Sequence, residues 1–271
     1  VTTRNLDIDP KELKDLTPPQ RLPGGREPLL ALLQQARPAR VVCDDPAILG
    51  NLKAVEGCDG AFELYSAPQP LFVTAGLEEA IEELLVPETA LPGGGFLLVE
   101  PGQTLTAIDV NAGRRDGRGG TAALAREVNL VAVREIARQL RLRAISGLIV
   151  VDFLEMKKPE DRKAVAAALR QAVRDDPEPC QVFGVSPSGL LEMTRRRGRA
   201  PLHELLCRPC GLAGSGREKS PETLAYEALR HTAAEALGQV VTRITLRAAP
   251  AVAAALKEEA SPALAAVEQR L

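Results

Sequence analysis

The stretch "GGGFLLVEPGQTLTAIDV", residues 93–110, decides how the chain folds. Two apolar runs flank Pro101-Gly102, and the spacing predicts a β-hairpin that turns there or one residue beyond. Its second arm runs on through "LTAIDVNAGRR" (105–115) and carries an aspartate between Ile108 and Val110. Strand residues two apart share a face, so Asp109 and Asn111 project to one side and Ile108 and Val110 to the other. A carboxylate beside an apolar strand is costly unless something pairs with it. "LIVVDFLEM" (148–156) repeats the pattern, its apolar run closing on Asp152. If the two strands are neighbours, two carboxylates converge at one edge of a sheet, with Asn111 placed to orient one of them.

Working outward, the Gly/Arg-rich loop "NAGRRDGRGG" (111–120) precedes a helix from about Thr121 to Arg143. "SGLIVVDFLEM" (146–156) is continuously apolar, as in a strand covered on both faces. "PEDRKAVAAALRQAVRDD" (159–176) reads as a helix, "CQVFGVS" (180–186) as a strand, and "GLLEMTRRRGR" (189–199) as a loop or short helix with a basic end. Past "CRPCGLAGSG" (207–216) come a helix over about 221–237, a strand "VVTRITLRA" (240–248) and a helix "PAVAAALKEEA" (250–260).

Upstream, residues 1–28 are polar and proline-punctuated, a lead-in or linker. "PLLALLQQA" (28–36) is a short amphipathic helix and "ARVVCDD" (39–45) a strand. In "DPAILGNLKAV" (45–55) Asp45 caps a helix that has Pro46 at its first position. "AFELYS" (61–66) is a strand and "GLEEAIEELLV" (76–86) a helix. The alternation sets the fold class as α/β, with α+β character in the later part.

The chain has 271 residues, enough for more than one structural unit. A net charge of −2 gives no overall basic signal, so contact with nucleic acid must rest on local patches. Aromatics make up 3% and Trp is absent, which argues against a base-stacking platform. No run reaches the length of a membrane span, and residues 1–15 lack the apolar centre of a signal peptide. With five cysteines, an odd number, the expectation is a cytoplasmic protein with no membrane partner.

Three features carry chemistry. Asp109 and Asp152 either cap loops or share a hard divalent cation, since Mg²⁺ takes one or two carboxylates plus waters and phosphate oxygens. Arg114, Arg115 and Arg118 in one loop, and Arg195, Arg196, Arg197 and Arg199 in another stretch, either make phosphate contacts or are solvated. Cys207 and Cys210 in "CRPCG" have metal-ligand spacing but supply only two of the four ligands zinc needs. Two chains sharing one zinc, a redox pair, and two free thiols all fit that motif. His203 and His231, the two histidines, stand in no nucleophile arrangement, and no phosphate-binding glycine fingerprint is present.

Four stretches in this order resemble the ribonuclease E/G family of bacterial endoribonucleases: "LPGGGFLLVEPGQTLTAIDVNAGR", "NLVAVREIARQLRLRAISGLIVVDFLEM", "GLLEMTRRR" and "CRPCG". The resemblance runs from about Arg40 to the C-terminus. It implies a Mg²⁺-dependent endoribonuclease that hydrolyses single-stranded RNA and leaves a 5′-phosphate on the downstream fragment. Asp109 and Asp152 would bind the Mg²⁺, Asn111 would hold Asp109, and Arg114, Arg115, Arg118, Arg195, Arg196 and Arg197 would contact RNA. Cys207 and Cys210 would meet their counterparts in a second chain around one Zn²⁺, making a homodimer. Residues 29–84 would be part of an RNase H-like subdomain, 85–206 a DNase I-like catalytic subdomain, 207–216 the zinc link and 217–271 a small α/β C-terminal domain.

The sequence departs from the family pattern in places. The family's S1 domain and 5′-end sensor are not visible, which fits a piece of a longer protein or a short member. Ala122, Ala123 and Leu124 stand where acidic residues and a threonine are usual. Pro187-Ser188 replaces Arg-Phe, "EPC" (178–180) replaces a basic segment, and Pro209 takes third rather than second place in the zinc motif. These changes leave a second reading open, a non-catalytic RNA-binding or scaffold member.

Overall fold

The structure, a computed structural model, describes Leu33 and residues 38–53, 60–113, 121–186, 189–210, 216–236 and 243–270. The lead-in 1–28, the helix expected at 28–36 apart from Leu33, the loop arginines Arg114, Arg115 and Arg118, and Pro187-Ser188 lie outside the described residues. The chain divides into two units, Val1–Ala75 and Gly76–Leu271.

In the first unit, β1 (Arg40–Cys43) and β2 (Ala61–Leu64) pair in parallel, Arg40 opposite Ala61 and Cys43 opposite Leu64. Parallel strands need a crossover, and helix α1 (Pro46–Lys53) lies within it. Its start follows the expected signal, with Asp45 Oδ1 accepting from the N–H groups of Ala47 (2.8 Å) and Ile48 (2.9 Å). A single turn, α2 (Leu71–Thr74), follows and had no distinct sequence signal.

The second unit begins with α3 (Leu77–Leu85), which the sequence had grouped with the segment before it. Glu78 of this helix pairs with Arg230 and Glu82 with Lys219. Then come β3 (Glu88–Ala90), β4 (Phe96–Pro101), β5 (Leu105–Asn111), α4 (Thr121–Leu142), β6 (Gly147–Asp152), α5 (Pro159–Ala172), β7 (Cys180–Val185) and β8 (Leu190–Arg195). The six strands form one mixed sheet in the order β3-β4-β5-β6-β8-β7. β4 and β5 are the expected hairpin, closed where Gly102 N–H donates to Leu105 O at 2.9 Å. β5 and β6 run parallel, with α4 as the crossover.

Side-chain alternation builds the core on one face of this sheet. Leu97, Val99, Ile108, Ile149, Val151, Leu191 and Met193 are buried with Val128, Ile136 and Leu140 of α4 and Val165 and Leu169 of α5. The opposite face is open. Leu148, on β6, is 40% exposed and Asp152 is exposed, so only one face of this apolar strand is covered, contrary to the expectation from its composition. Glu192 on the neighbouring strand is also exposed.

Residues 190–195 form a strand rather than the loop or short helix expected. Leu191, Met193 and Arg195 point into the core while Glu192 is exposed, a period-two pattern that the charged residues disguise. Among the described residues the expected C-terminal domain, 217–271, is mostly helical after β10 (Arg217–Lys219). Helices α7 (Pro221–Glu235), α8 (Pro250–Lys257) and α9 (Ser261–Arg270) bury Ala225, Leu229, Val252, Ala255 and Leu256 together. The described part of the expected strand 240–248, residues 243–248, is not strand, and Ile244 and Leu246 stay 38% and 42% exposed. No described strand pairs with it, and a lone strand is not stable. Between sheet and helices lie α6 (Leu202–Leu206) and an antiparallel ribbon of β9 (Cys207–Pro209) with β10 (Arg217–Lys219).

Candidate metal and nucleic-acid site

Parallel register places Asp109 opposite Asp152 at the C-terminal ends of β5 and β6. Adjacent strands lie about 4.8 Å apart, so the two side chains leave the same open face as near neighbours. A cross-strand row of Leu98, Asp109, Asp152 and Leu190 runs over the sheet, so leucines flank the acids on both sides. The carboxyl ends of parallel strands are where α/β sheets generally bind ligands. Asn111, two residues on, donates from Nδ2 to Asp109 Oδ2 at 2.6 Å, the contact that alternation along β5 anticipates.

The backbone around Asn111 is built for close approach. Gly95, at φ 88°, lies so near that a Cβ there would come within 2.4 Å of Asn111 O. Gly95 O also accepts from Leu91 N at 2.9 Å, which folds the glycine run against the end of β5. The sequence shows the three glycines but not which strand end they touch.

The donor set suits a hard divalent cation. Both groups offer carboxylate oxygens, Asp152 is exposed and Asp109 half-buried. Among the described residues, no Lys or Arg pairs with either carboxylate. Two neighbouring like charges on one sheet face repel, and a cation between them would relieve that. Among the described residues no three His, Cys, Asp or Glu side chains form a metal cage. A two-carboxylate platform completed by water and phosphate oxygens is the kind Mg²⁺ uses.

Glu192, which the sequence reading did not single out, stands on the same open face, opposite Val150 and one row from Asp152. The signal for it was the alternation of β8.

The arginines separate into two kinds. Arg195 is 6% exposed, and its guanidinium is fully engaged. It donates from Nη2 to Asp176 Oδ1 (2.8 Å), from Nε to the same carboxylate (3.1 Å) and from Nη1 to Ile145 O (3.0 Å). The expected RNA contact at Arg195 is therefore replaced by a buried structural pair, because its place in the strand turns it inward. Arg196 points outward and meets Glu178 at 3.0 Å with 60% of its side chain exposed, and Arg197 is exposed. Arg199 donates to Arg141 O at 3.0 Å.

Cys207 and Cys210 are both half-buried free thiols at the start and just past the end of β9. Burial, with Glu227 adding to it, pushes the Cys207 thiol above its ordinary range. The ribbon register sets Cys207 opposite Lys219, and Cys210 N–H donates to Gly216 O at 2.7 Å. The two thiolates would be half of a tetrahedral zinc set.

No described helix is long and apolar enough to cross a membrane. A model of the ribonuclease E/G family matches residues 32–198. Ribonuclease G of Salmonella typhimurium (strain SL1344) is 37% identical over 207 residues, covering 76% of this chain and 42% of that protein. Ribonuclease G of Escherichia coli (strain K12) is 36% identical over the same length, with the same coverage. Ribonuclease E of Escherichia coli (strain K12) is 37% identical over 211 residues, 77% of this chain and 20% of that protein. The chain thus spans about two fifths of the ribonuclease G proteins it matches. The family match takes in both hairpin strands, both aspartates and β8, so the chain belongs to the ribonuclease E/G family.

Proposed function

We propose that this chain is the catalytic portion of a Mg²⁺-dependent endoribonuclease that hydrolyses single-stranded RNA and leaves a 5′-phosphate. The observation that carries this reading is the opposed pair Asp109 and Asp152 at the open edge of the parallel strands, with Asn111 bonded to Asp109. Family membership supports it, since the relatives it matches are named ribonucleases.

In this reading Asp109 and Asp152 hold Mg²⁺, which when bound acidifies a water and stabilises charge on the phosphodiester in its transition state. Asn111 fixes the rotamer of Asp109 through its bond to Oδ2 and leaves Oδ1 for the ion. Arg196 and Arg197, outside the sheet core, give the RNA backbone its phosphate contacts together with Arg114, Arg115 and Arg118. Cys207 and Cys210 bind one Zn²⁺ with the same two residues of a second copy. RNA is the partner, and the working place of such an enzyme is the cytoplasm.

Product-end analysis tests the reading. Incubation of an unstructured RNA with the chain and Mg²⁺ is expected to yield downstream fragments that a ligase joins without prior phosphorylation. Fragments with 5′-hydroxyl ends would overturn hydrolysis of this polarity. RNA that is bound but left intact would favour the non-catalytic scaffold reading.

A further inference from the structure

Asn129, midway along α4, is fully buried, and its carboxamide serves a single backbone residue. Nδ2 donates to Leu154 O at 2.9 Å, and Oδ1 accepts from Leu154 N–H at 3.1 Å. Leu154 lies two residues past Asp152, where β6 has ended and no described strand pairs with the chain. The side chain thus supplies both hydrogen bonds that a sheet neighbour would have made. Both members of this buried polar pair are satisfied, and loss of either leaves the other unpaired in the core.

Other attachments act on the same short segment. Phe153 and Met156 are 4% and 6% exposed, plugged into the core on either side of Leu154. Arg162 Nη1 donates to Met156 O at 2.7 Å. Segments leaving a sheet are usually its loosest parts, and this one is fastened at each of these points. Asp109 is held through its side chain by Asn111, whereas among the described residues no side-chain hydrogen bond holds Asp152, so the backbone sets its place.

We infer that Asn129 is a positioning residue for Asp152, fixing the end of β6 so that its carboxylate meets that of Asp109 at one cation. The inference rests on the reading that these two aspartates bind a divalent cation. It also makes α4 a link between the site and the Gly/Arg loop, since that loop joins Asn111 to the start of the helix.

The test uses the whole chain and Mn²⁺ as a spectroscopic substitute for Mg²⁺, with bound ion measured by loss of the free Mn²⁺ resonance. Asn129→Asp is isosteric and keeps the acceptor for Leu154 N–H, while Asn129→Leu removes both bonds. Leu140→Ala, buried about three turns further along the same helix, is the control for general loosening of α4. At a temperature where all are folded, the Asn129 variants are expected to bind Mn²⁺ at least about tenfold more weakly than the parent. Leu140→Ala is expected to bind like the parent. RNA cleavage by Asn129→Asp should fall in kcat with KM unchanged. A folded Asn129→Asp that binds Mn²⁺ like the parent overturns the inference, as does an equal loss in Leu140→Ala. Failure of the parent itself to bind Mn²⁺ overturns the two-aspartate site, and the role of Asn129 falls with it.

Discussion

Asp109 and Asp152 are register partners on neighbouring parallel strands, so the two carboxylates leave one face of the sheet side by side. Repulsion between them is the cost of an arrangement that a divalent cation reverses. In EDTA, Asp152→Asn should therefore raise the melting temperature by roughly 1–3 °C. The same variant should lose the stabilisation that added Mg²⁺ gives the parent, in a thermal scan with and without the metal. A parent insensitive to Mg²⁺ would remove the cation from the account.

Gly95 sets the distance between the glycine turn and the end of β5. A Cβ there has no room against Asn111 O and the backbone is left-handed, so Gly95→Ala must shift one of the two segments. The expected outcome is a loss of about 1–3 kcal/mol of stability in urea titration. Cleavage should fall further than the unfolded fraction explains, because Asn111 moves with its backbone.

Arg195 and Arg196 are adjacent in sequence and opposite in role. Arg195 is 5% exposed by side chain and Asp176 0%, so Arg195→Ala leaves an unpaired buried carboxylate and should cost about 3–5 kcal/mol. Arg196→Ala and Arg197→Ala should leave the melting temperature nearly unchanged. Each should weaken RNA binding and lower the dependence of log affinity on log salt concentration by about one contact, measured by fluorescence anisotropy.

Arg143 is buried at the end of α4, where burial lowers its guanidinium pKa from its ordinary value to about 10. It donates to Gln139 Oε1 (2.6 Å), Val86 O (2.8 Å) and Thr89 Oγ1 (2.8 Å), tying α4 to the edge strand β3. A folded-state value below the unfolded one means that the charge costs stability below about pH 10, and that this cost fades as the pH rises above that value. The three hydrogen bonds outweigh it at neutral pH. Arg143→Met should lower stability by about 1–3 kcal/mol at pH 7 because those acceptors lose their donors.

For the thiol pair, the expectation is one Zn²⁺ per two chains and a dimer in sedimentation. Cys207→Ser or Cys210→Ser should give a zinc-free monomer. A zinc-free dimer in the parent would place the interface elsewhere.

Much of the site was legible because period-two alternation forces it. Ile108 and Val110 had to face the core, so Asp109 and Asn111 shared the other side, and the apolar run ending at Asp152 marked a second strand. What was not legible depended on partners distant in sequence. Arg195 read as part of a basic cluster because Asp176, its partner, lies 19 residues away. The strand expected over 240–248 had the right residues, but its described part, 243–248, pairs with no described strand. Asn129 was invisible as a positioning residue because its role is a bond to the backbone of Leu154, 25 residues downstream.

The most direct test of the central claim is cleavage of a 5′-labelled, AU-rich single-stranded RNA by the purified chain. The parent is compared with and without Mg²⁺ and with Asp109→Asn and Asp152→Asn. The account expects cleavage by the parent with Mg²⁺, none in EDTA, and none from either folded variant. Cleavage that persists in a folded Asp109→Asn or Asp152→Asn chain would contradict it, because the chemistry would then lie outside the pair on which it rests.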